Sequence, residues 1–208
     1  MFEKSLKKVV RLLTKGKTIK LTTIRIMKTK KEKITIENVK VLGSYGKMIP
    51  FSESYPHTLR KLSKDVKKRD CTAISMAALL LSQIINPNAV IIPIPQSNGV
   101  AEYTLSIANI IKVIRQDCEV VDILSGTPRK KLYEIKKKKS NLKGTHTGIK
   151  VKETADCKEL LQSNTNIYLL DNVVDTGFTF NRARKALKKF AKVNPALLAI
   201  SATAQWLV

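Results

Sequence analysis

Cysteine is scarce in this 208-residue chain. Cys71, Cys118 and Cys157 stand far apart with no C-x-x-C pair. That spacing excludes a zinc ribbon and offers no disulfide framework, so a reducing compartment, the cytoplasm, is the expected setting. Aromatic residues are only 5% of the chain, so the core must rest on Ile, Leu, Val and Ala. The two histidines, His57 and His146, are isolated in the sequence, and both read as surface or loop positions. No G-x-S-x-G and no H-E-x-x-H occurs, and Gly43-x-x-Gly46-Lys47 lacks both the spacing and the following Ser or Thr of a P-loop. Long hydrophobic runs are missing too. The stretch Ala73–Ile85 is broken by Ser75, Ser82 and Gln83 and stopped by Asn86-Pro87-Asn88. It is too short to span a bilayer, so no membrane partner is expected. Met1–Leu13 carries Lys4, Lys7, Lys8 and Arg11 and does not read as a secretory leader.

Acid is also in short supply: 16 Asp and Glu against 39 Lys and Arg give a net charge of +23. The excess is concentrated. Residues 1–70 hold 20 basic and 6 acidic residues, and residues 129–152 hold 10 basic and 1 acidic. The middle, 71–128, has 2 basic and 4 acidic residues and reads as an ordinary globular core. A cationic region attracts polyanions by counterion release, which makes nucleic acid a candidate partner for residues 1–70; a solvated lysine-rich surface is the plainer alternative. With 43% apolar residues the chain has enough hydrophobic surface to fold.

Apolar residues at Phe2, Leu6, Val9, Val10 and Leu13 have helical spacing, and two β-branched stretches at 18–27 and 33–42 read as a hairpin. Residues 1–56 thus form a basic appendage of one helix and a hairpin. Residues 57–208 form the main domain. His57–Ile85 reads as helix with a break near Arg69-Asp70. Ala89–Pro95 is a continuous apolar run, the mark of a strand buried on both faces. Val100–Ile114 reads as helix, Glu119–Leu124 as strand, 129–150 as a flexible loop, Asn166–Asp171 as strand, Thr179–Lys192 as helix and Ala196–Thr203 as strand. Short apolar strands alternating with helices predict an α/β fold with a parallel sheet covered on both sides. Ligands in such sheets bind beyond the carboxyl ends of the strands.

The stretch that carries chemistry is Ile167-Tyr-Leu-Leu-Asp171-Asn172-Val-Val-Asp175-Thr176-Gly177-Phe178-Thr179. A buried strand ends in a carboxylate, and a short turn leads into a helix. Small residues at the helix start let backbone N–H groups approach a phosphate, which the helix N-terminus favours electrostatically. The carboxylates suit ribose hydroxyls or a Mg²⁺ ion. The same residues also suit a plain strand-turn-helix with Asp and Thr as turn and cap residues.

This segment resembles the signature of the type I phosphoribosyltransferases: hydrophobic residues, two acids, two hydrophobics, then an acid or Thr followed by Thr-Gly-x-Thr. AVIIPIPQSN resembles the strand and loop of the ComF-like branch, and the Asp175-Thr-Gly turn is similar to that of the hypoxanthine–guanine and xanthine–guanine enzymes. The resemblance spans residues 57–208 and implies a Rossmann-like phosphoribosyltransferase-type core that binds phosphoribosyl pyrophosphate (PRPP) with Mg²⁺. It implies that Thr176, Gly177, Phe178 and Thr179 hold the 5-phosphate, that Asp171 and Asn172 face the ribose hydroxyls with Asp171 near the metal, and that Asp175 is the general base. Gln96 and Ser97 would lie near pyrophosphate, Lys136, Lys137, Lys138 and Lys139 in a closing loop, and Trp206 in a hood over a nucleobase-type acceptor. A homodimer is common in the family. Asn172 replaces the usual second acid and so removes a charge. That departure leaves open a non-catalytic PRPP or nucleotide sensor that binds RNA or DNA through its basic surface.

Overall fold

The computed structural model describes residues 39–43, 58–128, 148–152, 156–175 and 177–202. Of the expected elements, the helix at 2–13, most of the hairpin at 18–42, Lys136–Lys139, Thr176 and Trp206 lie outside the described residues. Strand β1 is Val39–Val41. Helices α1 (Leu59–Lys67) and α2 (Cys71–Ser82) lead to strand β2 (Val90–Pro93). Helix α3 (Tyr103–Ile114), strand β3 (Glu119–Val120) and strand β4 (Leu124–Ser125) follow. Strand β5 (Lys150–Val151), helix α4 (Asp156–Ser163), strand β6 (Ile167–Val174), helix α5 (Phe178–Leu187) and strand β7 (Ala196–Ala202) complete the order.

The fold is α/β, as the alternation of strands and helices predicts. Five strands form one sheet in the order β1-β7-β6-β2-β3, and every pairing in it is parallel. The continuous apolar runs are explained by burial on two sides. Along the central strands, Ile91, Tyr168, Leu170 and Leu198 face a layer built from Leu62, Val66, Leu81, Ile107 and Ile111 of α1–α3. Val90, Ile92, Leu169 and Leu197 face the opposite layer, built from Leu161 of α4 and Phe180, Ala183 and Leu187 of α5.

The break near Arg69-Asp70 is a helix stop followed at once by a helix start. Arg69 takes the left-handed conformation (φ 64°), with its N–H donating to Val66 O at 2.9 Å and the Asp70 N–H to Asp65 O at 3.1 Å. The Asp70 carboxylate then caps α2 by accepting from the Ala73 N–H at 2.8 Å. Cys118 is buried, and burial first of all pushes its thiol pKa up. Cys71, the first residue of α2, is exposed.

Three features depart from the expected elements. Val39–Val41 is an edge strand of the main sheet, in register with Leu197–Ala199. The expected strand 119–124 is two strands: β3 pairs with β2, while β4 pairs antiparallel with β5 in a separate two-stranded sheet. Asp122, between them, turns its carboxylate to Lys152 at 2.9 Å. Helix α4 has no counterpart in the expected order; its eight residues are too few to show a helical period.

Gly99 sits where the loop after β2 meets the loop after β4. Its φ is +89°, and a Cβ there would stand 2.1 Å from Gly126 O. Gly99→Ala is therefore expected to cost at least about 2 kcal/mol through backbone strain and displacement of the Gly126 carbonyl. Urea unfolding of the variant checks this; an unchanged midpoint would show that the two loops part freely.

Candidate functional site

Strands β2 and β6 are neighbours, with Val90–Pro93 in register with Ile167–Leu170. From β2 the chain crosses through α3 to β3 on one side, and from β6 it crosses through α5 to β7 on the other. The two helices accordingly lie on opposite faces of the sheet. Among the described residues no crossover covers the sheet edge between the carboxyl ends of β2 and β6, and this switch point is where doubly wound sheets form a crevice. Gln96 and Ser97 stand on the β2 side. Asp171, Asp175, Gly177, Phe178 and Thr179 stand on the β6 side.

Each of these side chains has a local role. Asp171 is half-buried, and its Oδ1 accepts from the Asn172 N–H at 2.7 Å. Asp175 is exposed in the turn before α5. Gly177 is in the left-handed conformation (φ 67°), a geometry that disfavours any residue with a Cβ, and no side chain from that position caps α5. The helix ladder opens with the Asn181 N–H donating to Gly177 O at 2.9 Å. The first turn, Phe178-Thr179-Phe180, therefore directs its backbone N–H groups toward the crevice. Arg182 lies over the Phe178 ring with 5.0 Å to its centroid, which brings a cation to the same helix end.

Asn172 is placed differently from a ribose ligand. It is buried, with 1% of its surface exposed. Its Nδ2 donates to Ser63 O on α1 at 2.8 Å, and its Oδ1 has no hydrogen-bond partner among the described residues. Beside it the Ser63 and Ser201 hydroxyls meet at 3.1 Å. Asn172 and Ser201 thus tie β6 and β7 to α1 through one residue, Ser63. The Ser63 carbonyl needs a donor, which an amide supplies and a carboxylate does not.

Gln96 also has a structural role. With its amide oxygen toward the helix, it accepts from the N–H groups of Glu102 at 3.1 Å and Tyr103 at 2.9 Å, so it caps α3 from the preceding loop. The half-buried Ser97 follows in the same turn, which closes with the Gly99 N–H on Gln96 O at 3.0 Å.

Tyr103, which sequence reasoning passed over, belongs to this region. Burial raises its hydroxyl pKa most, the charge of Asp171 adds to this and that of Glu102 adds less, and the Asn172 amide opposes the shift in part. The hydroxyl therefore stays protonated well beyond neutral pH. An aromatic at the start of a helix gives no sign of this in sequence; only the pairing of β2 with β6 brings Tyr103 near Asp171.

Among the described residues, no group of three or more His, Cys, Asp or Glu could hold a metal ion. Asp171 and Asp175 are the carboxylates at this strand end. That number fits Mg²⁺, which is commonly held by one or two carboxylates together with substrate phosphates.

No protein-family description and no curated protein matches the chain. Among solved structures the chain is similar to the Helicobacter pylori xanthine-guanine-hypoxanthine phosphoribosyltransferase, at 12% identity. The match covers 72% of this chain and 76% of that one, with a TM-score of 0.36.

Asn172→Asp tests the α1 tie. The introduced carboxylate would face the Ser63 carbonyl in a buried place, at an expected cost of about 2–4 kcal/mol near neutral pH. Burial and the opposed carbonyl would raise its pKa above the unfolded value. The loss should therefore shrink as the pH falls to about 4, where the protonated form dominates. Urea midpoints of variant and parent at the two pH values decide this; a difference independent of pH would place the side chain in water.

Proposed function

We propose that the crevice binds PRPP and that the protein is a phosphoribosyltransferase-like enzyme acting on a nucleobase-type acceptor. The observation that carries this reading is the coincidence at one switch point of a strand-end carboxylate, Asp171, with a left-handed Gly177 that opens α5 toward the crevice. In this reading Thr176, Gly177, Phe178 and Thr179 receive the 5-phosphate, and the N-terminus of α5 favours its charge. Asp171 takes a ribose hydroxyl and a Mg²⁺ ligand position. Asn172 holds Asp171 in place from behind, through its own N–H and its bond to α1. Gln96 acts as the cap of α3, which sets the loop carrying Ser97 toward pyrophosphate.

The reaction is a displacement at C1 of the ribose. The acceptor nitrogen forms its bond to C1 as the bond from C1 to the pyrophosphate oxygen breaks, and pyrophosphate leaves with the electron pair. The acceptor proton passes to Asp175. Bound Mg²⁺ would neutralise charge on the leaving group. Lys136–Lys139 would supply further positive charge, and Trp206 would stack on the acceptor.

The tie of Asn172 to α1 favours a second reading. It leaves Asp171 as the one acid of the expected pair, which suits a PRPP or nucleotide sensor that binds without turnover and contacts RNA or DNA through residues 1–70.

Calorimetric titration with PRPP, with and without Mg²⁺, tests the crevice. Mg²⁺-dependent binding is expected, and Gly177→Val should abolish it while far-UV circular dichroism stays the same. Binding unaffected by that substitution overturns the assignment. With a panel of nucleobases, pyrophosphate release that disappears in Asp175→Asn supports the enzyme. PRPP binding with no release under any acceptor supports the sensor.

A further inference from the structure

Helix α5 carries a row of cations that the crevice does not use. From residue 176 to residue 208 the chain has six basic residues and no acidic one. Arg182 and Arg184 are half-buried. Lys185, Lys188 and Lys189 follow at spacings that put them on one side of α5 and its terminal turn, and Lys192 stands in the bend just after that turn. All four lysines are exposed, while Ala183 and Leu187 bury the opposite side of the helix.

Several other cations of the chain are set against carboxylates, although Lys64, Lys67 and Lys150, like the α5 row, have no ion pair among the described residues. Lys61 and Lys68 meet Asp65, Arg69 meets Glu102, Lys112 meets Glu119, Arg115 meets Asp117 and Lys152 meets Asp122. None of Lys185, Lys188, Lys189 and Lys192 has an ion-pair partner among the described residues. A helix carboxyl end favours nearby cations, but four in a row repel one another. A regularly charged polyanion relieves that repulsion and releases its own counterions.

We propose that Lys185, Lys188, Lys189 and Lys192 form a docking surface for the phosphate backbone of a duplex nucleic acid, at the end of α5 away from the crevice. From Lys185 to Lys189 the row spans about 6 Å, along which a duplex presents about three to four phosphate charges. A single strand would gain from exposed aromatic side chains to stack on. Among the described residues this surface offers none: Phe190 is half-buried against the core, and Phe178 lies under Arg182 at the other end of the helix. The row sits at the carboxyl end of α5, where the chain turns into β7, so it lies at the sheet edge opposite the crevice. The two sites are the two ends of one helix, and this inference does not rest on PRPP binding.

The test is fluorescence anisotropy of the full chain with a short labelled duplex DNA over a series of salt concentrations. Replacing all four lysines by Gln should make the plot of log affinity against log salt shallower by about 3 to 4, since each phosphate that is no longer neutralised removes about 0.9 from the slope. The same four changed to Arg should keep the parent slope. Lys64 and Lys67, exposed on α1, should change it little when made Gln. PRPP titration should be the same in all variants, which separates failure here from failure of the crevice reading. An unchanged slope in the fourfold Gln variant overturns the proposal. So does a weakening that simply follows net charge at both places, or no duplex binding by the parent chain.

Discussion

The pairing of β2 with β6 sets the rest of the molecule. Both strands are apolar on both faces, so each needs a helical layer above and below it. The chain meets that need by leaving the two strands in opposite directions, through α3 on one face and α5 on the other. The uncovered edge between their carboxyl ends follows from this arrangement. Loops at that edge are held by a rigid sheet beneath them and by a few specific contacts, such as the Gln96 cap of α3 and the approach of Gly99 to Gly126. Charged and polar residues can therefore collect there at little cost to the core.

What stabilises the edge is a small polar cluster. Asn172, Ser63 and Ser201 join two strands and a helix where an apolar core would otherwise end. Asn172 then fixes the backbone on which Asp171 stands, and burial first, with the charge of Asp171 adding to it, pushes the nearby Tyr103 hydroxyl pKa up. The strand-end carboxylate and the packing of α1 are thus coupled through one residue that faces the interior. The Oδ1 of Asn172, without a partner among the described residues, is the residual energetic cost of the arrangement.

Much of this was legible in the chain. Runs such as AVIIPIP and IYLL announce buried strands because a doubly covered sheet removes the polar alternation. Asp70 after a basic helix announces a new helix start. The strand-turn-helix at 167–180 is visible for the same local reasons. Other features depend on distant partners. The pairing of Val39–Val41 with Leu197–Ala199 joins the two ends of the sequence, and no local pattern encodes it. The inward turn of Asn172 is decided by the Ser63 carbonyl, 109 residues away. At the end of a strand covered on both faces, polarity alone does not tell which way a side chain points. The short helix Asp156–Ser163 falls below the length at which periodicity speaks.

The contact between β4 and β5 has a separate consequence. Leu124 pairs with Val151 and Ser125 with Lys150, and the next residues stay close, since a Cβ on Gly148 would come within 2.8 Å of the Thr127 hydroxyl. The two ends of the intervening segment are therefore clamped together beside the Gly99 turn. For a chain closed on such a stem, the entropic cost of closure grows only with the logarithm of its length, about 0.6 kcal/mol for each doubling. The β4–β5 pairing and the close approach of Gly148 to Thr127 thus fix where the chain leaves and re-enters this layer.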